Sequence, residues 1–158
     1  MSGAVAFLRS RPDVDDDRIG GLGLSTGADV LLEYAGERPG LRAVVADGAT
    51  GRSFADVAPS TLDAPAVWLT FTAGRVLSGT SPGRPLRELV AAAAPTPVLL
   101  VASGSLAGEL ELNDGYARAG TSTTLWRLPD GTHTNAVDEE AAAYENRVIG
   151  HLDAALRG

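Results

Sequence analysis

Pro97-Val-Leu-Leu-Val-Ala102 is almost unbrokenly apolar, with no polar residue at alternate positions. A strand with one solvated face alternates, whereas a continuous run of this length is a strand covered on both faces. That requirement points to a parallel sheet with helices packed on it. The neighbouring segments fit the requirement. Arg18 to Leu24, Leu41 to Ala46 and Thr123 to Leu128 read as further short strands. Between them lie helical patterns: the end of a helix over Ala4 to Arg9 with Val5 and Leu8 on one face; Thr26 to Tyr34 with Ala28, Leu31, Leu32 and Ala35 inward and Gly36 as its C-cap; Pro85 to Ala94; and Leu112 to Ala119. A last helix is expected from about Asp138 to Leu156, because Val137, Ala141, Tyr144, Val148, Leu152 and Ala155 recur every three or four residues. Strand and helix in alternation imply an α/β fold, a parallel sheet of about four strands with flanking helices and right-handed crossovers. The chain of 158 residues is expected to form a single domain, residues 1–158. Gly48 to Gly83 is too Gly-, Ser- and Pro-rich and too long for an ordinary connection. It is expected to be a cap-like insertion, broken by the apolar stretch Ala66 to Phe71.

Composition narrows the function by exclusion. Net charge is −7, Lys is absent, and the arginines are scattered singly or in pairs, so no basic stripe exists for nucleic acid to follow. No apolar run approaches the roughly 18–20 residues of a membrane span, and Met1 to Ser10 lacks the basic leader and apolar core of a signal peptide. A cytoplasmic protein is therefore expected. With no Cys, and His133 and His151 far apart, no metal-ligand set is recognisable and no cofactor is called for. Asp13, Asp15, Asp16 and Asp17 lack the turn Gly and distal Glu of a calcium loop and read as a solvated turn. His151, between Val148 and Leu152, reads as a half-exposed helix residue.

Two segments carry chemistry. Gly23-Leu-Ser-Thr-Gly27 lies where a strand ends and a helix begins. A G-x-S-x-G turn there reverses the chain sharply, lifts the Ser25 hydroxyl clear of the sheet and aims the N–H of Thr26 at a developing oxyanion. Its bland alternative is a plain strand-to-helix turn capped by Ser25. Pro129-Asp-Gly-Thr-His133 follows the last strand, so His133 stands on a loop at the C-terminal edge of the sheet, where the sites of open α/β sheets gather. Ser25 as nucleophile and His133 as general base then need a carboxylate to hold the imidazole. Glu109, in the loop after the third strand, is the first choice, with Glu111 second. Asp47, ending the second strand at the same edge, is the competing acid.

Together these segments resemble the α/β-hydrolase superfamily, most closely its dienelactone-hydrolase and acyl-peptidase-like branch. Phe7 to Gly20 is similar to the helix and turn before the nucleophile strand, Pro95 to Leu100 to the strand before the acid loop, and Leu125 to Thr134 with Tyr144 to Val148 to the His loop and last helix. The Ser, acid, His order is the one that fold uses. The resemblance implies the C-terminal half only, a truncated fold lacking the N-terminal strands, with an incomplete oxyanion hole because the loop after the family's third strand supplies its second donor. Leu24 stands where the family often has His, and Gly104-Ser-Leu-Ala107 stands where Gly-x-x-Asp is frequent. The implied activity is carboxylic ester hydrolysis on a small-molecule acyl substrate, weak for this chain alone. A non-catalytic binding or assembly module and an aminopeptidase-like hydrolase are the alternatives. Without a neighbour beside Arg18 to Leu24, self-association or pairing with a separate N-terminal half is expected.

Overall fold

The structure, a computed structural model, describes residues 1–57, 64–79 and 83–157. Four strands, β1 (Gly20–Leu24), β2 (Ala43–Asp47), β3 (Val98–Ser103) and β4 (Thr123–Leu128), form one parallel sheet in the order β1-β2-β3-β4. The register pairs Leu24 with Asp47, Asp47 with Val101, and Ser103 with Leu128, so the C-terminal ends of all four strands share one edge. The helices are α1 (Ser2–Arg9), α2 (Thr26–Glu37), α3 (Phe54–Val57), α4 (Ala64–Ser78), α5 (Leu86–Ala92), α6 (Glu109–Ala119), α7 (Ala136–Glu139) and α8 (Ala141–Leu156).

The unbroken apolar runs have the expected cause. Every residue of β2 and β3 is buried, and alternate side chains enter two different cores. Val44, Ala46, Val98 and Leu100 join Val5, Leu31, Leu32, Leu86, Leu89 and Tyr116 on one face. Val45, Leu99 and Val101 join Tyr144 and Val148 of α8 on the other. Each fully buried Val or Leu contributes about 1.5–3 kcal/mol relative to exposure, so a polar residue on either face of these strands would be costly. Sequential strands advance across the sheet in one direction, which keeps their connecting helices α2, α5 and α6 on one face. The chain leaving β4 turns to the opposite face, and α8 closes that layer.

Several local expectations are corrected. Gly36 is no C-cap: α2 runs on to Glu37, and Gly36 lies where α5 crosses it, a Cβ there falling 2.4 Å from the Leu89 carbonyl oxygen. The glycine is a packing requirement, not a stop signal. Leu8 and Val137, placed inward by their spacing, are exposed. The last helix is two helices, broken at Glu140, whose φ of −127° and ψ of 38° leave the helical region; just before it, Glu139 accepts hydrogen bonds from the Thr132 N–H (2.9 Å) and Asn135 Nδ2 (3.2 Å). Glu109 and Glu111 belong to the first turn of α6 and not to a loop, their charge suiting the positive end of the helix dipole. Within 48–83, Ala66 to Phe71 forms part of the helix α4, on which Trp68, Leu69 and Leu77 are exposed; 58–63 and 80–82 lie outside the described residues. Among the described residues no helix is long and apolar enough to cross a membrane.

Candidate active site

The turn from β1 into α2 bends at Ser25, which adopts φ 51° and ψ −121°. A non-glycine residue at positive φ costs about 1–3 kcal/mol and persists only where its surroundings hold it. They do here: the Ser25 N–H donates to the Asp47 carbonyl (2.8 Å), and the Ser25 carbonyl accepts from the N–H groups of Ala28 (2.9 Å) and Asp29 (3.2 Å). Thr26, first residue of α2, has an N–H with no partner one turn back in the helix, as every helix start must. It is the donor that the sequence assigned to an oxyanion.

The two glycines of the turn are not equivalent. A Cβ on Gly23 would lie 2.5 Å from the carbonyl carbon and oxygen of Gly27 and 2.8 Å from the Ala28 nitrogen, whereas Gly27 has open space around it. Only the glycine on the strand side of the turn is thus a steric requirement. Gly23→Ala should destabilise the fold by about 2–4 kcal/mol, since backbone cannot yield as a side chain can. Gly27→Ala should be neutral or mildly stabilising, by up to about 1 kcal/mol, because Ala favours the helix. Urea unfolding of both variants checks this; equal losses would contradict the steric argument.

His133 stands at the centre of the arrangement. Its Nε2 is 3.1 Å from Ser25 Oγ, and its Nδ1 is 2.6 Å from Glu109 Oε2. An ionised carboxylate only accepts, so Nδ1 carries the proton and Nε2 presents a lone pair to the serine hydroxyl. Glu109 is buried, 1% exposed, and its other oxygen accepts from the Ser103 N–H (2.7 Å) and hydroxyl (3.1 Å). Asn113, one turn along α6, donates from Nδ2 to the carbonyls of Glu109 and Ala49, tying the start of the helix to the loop after β2. Glu111, the second choice, is exposed on α6. Asp47 is buried at the end of β2 beside the same loop, and has no hydrogen bond to the imidazole among the described residues.

The loop carrying His133 is fixed by residues that no motif announced. The Ser105 hydroxyl accepts the His133 N–H (2.7 Å), and the Ser105 N–H donates to the Gly131 carbonyl (3.2 Å). Gly104 passes so close to Pro129 that a Cβ would fall 1.8 Å from its carbonyl oxygen. Gly48, at φ 68°, forms the seat of the imidazole, since a Cβ there would lie 2.6 Å from His133 Cε1. The only trace in sequence is the small residue placed straight after each strand: Gly48 after β2, Gly104 and Ser105 after β3.

The remaining candidates fall outside this cluster. Asp13 pairs with Arg11 and Asp15 Oδ1 accepts the Asp17 N–H, a self-contained turn. His151 is half-buried behind the sheet, where burial lowers its pKa. Among the described residues no group of three His, Cys, Asp or Glu side chains is arranged to hold a metal.

No protein-family profile matches the chain, and no curated protein matches it in sequence. Solved structures do match in fold. An esterase from Pyrococcus furiosus is similar over 98% of this chain and 60% of its own, with 16% identity and a TM-score of 0.67. Dienelactone hydrolase from Anabaena variabilis is 23% identical over 98% of this chain and 57% of its own, with a TM-score of 0.64. The acylaminoacyl peptidase of Pyrococcus horikoshii is 16% identical over 96% of this chain and 26% of its own, with a TM-score of 0.62. The chain thus spans about 60% of the length of the first of these structures. The likeness extends over nearly every residue present, and the four parallel strands with their helices are an open α/β-hydrolase-like arrangement.

Proposed function

We propose that this chain is a member of the α/β-hydrolase superfamily whose site performs serine-dependent acyl transfer to water, with a carboxylic ester of a small molecule as substrate. One observation carries the reading: the His133 ring bridges Ser25 Oγ at 3.1 Å and the buried Glu109 carboxylate at 2.6 Å. A serine hydroxyl is a weak nucleophile unless a base removes its proton as it attacks. Here the Oγ proton passes to His133 Nε2 while Oγ bonds to the ester carbonyl carbon, and Glu109 stabilises the imidazolium that results. The carbonyl oxygen, now anionic, is met by the Thr26 N–H. Collapse expels the alcohol, which takes the proton from Nε2 and leaves Ser25 acylated. Water then repeats the attack, its proton passing to His133, and Ser25 is regenerated with release of the acid. Thr26 is the oxyanion donor assigned among the described residues, and a donor of this kind is worth about 10²–10³ in rate. On this reading the sheet corresponds to the back half of the superfamily's fold, and 48–83 is a cap in which α4 helps select the acyl group.

A fluorophosphonate probe tests the reading without knowledge of the substrate, because it needs only an activated serine. Peptide mass spectrometry should locate the adduct on Ser25. Absence of labelling would favour a non-catalytic module instead. Comparing p-nitrophenyl esters with aminoacyl anilides then separates an esterase from an aminopeptidase-like enzyme.

The outer edge of β1 also bears on how the protein behaves in solution. Leu22 and Leu24 are 44% and 40% exposed there, and no Lys or Pro within Gly20–Leu24 blunts the edge. Edges of this kind pair with other strands. Sedimentation velocity over a hundredfold concentration range should show self-association; a concentration-independent monomer would count against it.

A further inference from the structure

The site holds a second buried acid that the mechanism leaves unused. Asp47 is 1% exposed, and its Oδ2 has no hydrogen-bond partner among the described residues. All the rest of β2 is apolar, Ala43-Val-Val-Ala46, and its register neighbours Leu24 and Val101 are apolar too. Burying a carboxylate in such a place is costly, and an Asn or Thr would serve the strand better. The Tyr144 hydroxyl faces it from α8, and an amide oxygen would accept from that hydroxyl as well, so the packing does not require the charge itself.

What surrounds Asp47 is the site itself. Its carbonyl holds the Ser25 N–H at 2.8 Å. The next residue, Gly48, is the seat of the imidazole. The ionisable groups facing its side chain are Tyr144 from α8, Glu109 from α6 and His133 from the loop after β4. We propose that Asp47 is a positioning residue whose negative charge, acting through space from the end of β2, supports the His133 imidazolium together with Glu109. This rests on the assignment of Ser25 and His133 as nucleophile and base. Glu109 fixes the tautomer through Nδ1, while Asp47 acts through space on the charge that develops as Ser25 gives up its proton. One such charge near a partly buried imidazolium changes a rate by roughly three- to tenfold.

The charge is conditional. Burial, opposed by the Tyr144 hydroxyl, reinforced by Glu109 and opposed by His133, pushes the Asp47 carboxyl up to about 6. Support is therefore present above that value and withdrawn as pH falls through it. The effect on the fold has the opposite sign. A carboxyl with a raised folded-state pKa favours folding below its ordinary value near 3.8, and that advantage is lost as pH rises through about 6. Ionised Asp47 thus costs stability in the range where it aids the chemistry, as groups retained for function often do.

The test measures the rate of fluorophosphonate labelling of Ser25 against pH in the full chain and in Asp47→Asn, with thermal melts of both. At about pH 8 the variant should label roughly three- to tenfold more slowly, and the gap should close toward unity by about pH 5. The variant should melt higher at about pH 8, the difference shrinking toward about pH 4. A residue with a merely structural role would slow labelling by the same factor at every pH and lower the melt, and that result overturns the proposal. So does an unchanged rate throughout. A full chain that never labels at Ser25 is a different failure, which removes the hydrolase reading and this inference with it.

Discussion

Ser25→Ala is expected to lower ester turnover by at least about 10³-fold and to abolish fluorophosphonate labelling, while leaving the melting curve close to that of the parent chain. Among the described residues the hydroxyl makes one hydrogen bond, with His133 Nε2. Alanine at the strained φ of 51° is no worse placed than serine. His133→Ala should cost a similar factor, because a hydroxyl without its base is hardly more nucleophilic than water. The decisive comparison is the double variant. Groups that act as one unit are not additive, so Ser25→Ala with His133→Ala should be about as slow as either alone. Initial rates on p-nitrophenyl acetate at saturating and subsaturating concentrations would measure all three. Losses that multiply would mean that the two residues serve separate roles, contrary to a shared proton transfer.

Glu109→Gln is expected to lower kcat by about 10²–10⁴-fold with little change in KM. The geometry says how. The Ser103 N–H and hydroxyl both converge on Oε1, so a glutamine keeps its carbonyl oxygen there and turns its amide nitrogen toward His133 Nδ1. The amide nitrogen donates, which forces Nδ1 to accept and moves the ring proton to Nε2. The imidazole then faces Ser25 with a proton where a lone pair is required. Glu109→Ala would differ in kind: it leaves the Ser103 donors unpaired in a buried place and should destabilise the fold by about 1–3 kcal/mol as well. Steady-state kinetics alongside denaturant melts would separate the two effects. A glutamine variant as fast as the parent would show that Glu109 does not orient the ring.

How much of this could be read from residues alone depends on the range of the interaction responsible. The run Val98 to Ala102 announces a doubly covered strand because burial on both faces is written into consecutive positions. Gly23 to Gly27 announces a tight strand-to-helix turn because the constraint is local. His133 follows from position too, since a loop after a strand of a parallel sheet has one edge to reach. Helix breaks are less legible. The periodicity of Val137 to Ala155 continues smoothly through Glu140, yet the backbone leaves the helical region there, beside a Glu139 carboxylate that reaches back to Thr132. Gly36 misleads for a similar reason, since its lack of a Cβ serves a neighbouring helix that lies more than fifty residues away in sequence.

By itself the sequence determined the layered α/β architecture, the strand order's common edge and the two segments that meet there. Burial pattern and turn chemistry are properties of short stretches, and short stretches are what a sequence states outright. The sequence put Glu109 ahead of Asp47 by its place after the third strand, but only the tertiary structure shows which of the two faces the imidazole. Asp47 ends β2 and Glu109 follows β3 at the same edge, and local sequence does not state where either side chain turns. The choice falls to Glu109 because α6 begins at that residue and Asn113 ties its first turn to the loop after β2. The Ser103 N–H and hydroxyl then turn one carboxylate oxygen inward, leaving the other 2.6 Å from Nδ1. Asp47 points instead into the layer beneath α8, toward Tyr144. A difference of that kind is set by the meeting of three strands' ends and two helices, and no single segment of the chain contains it.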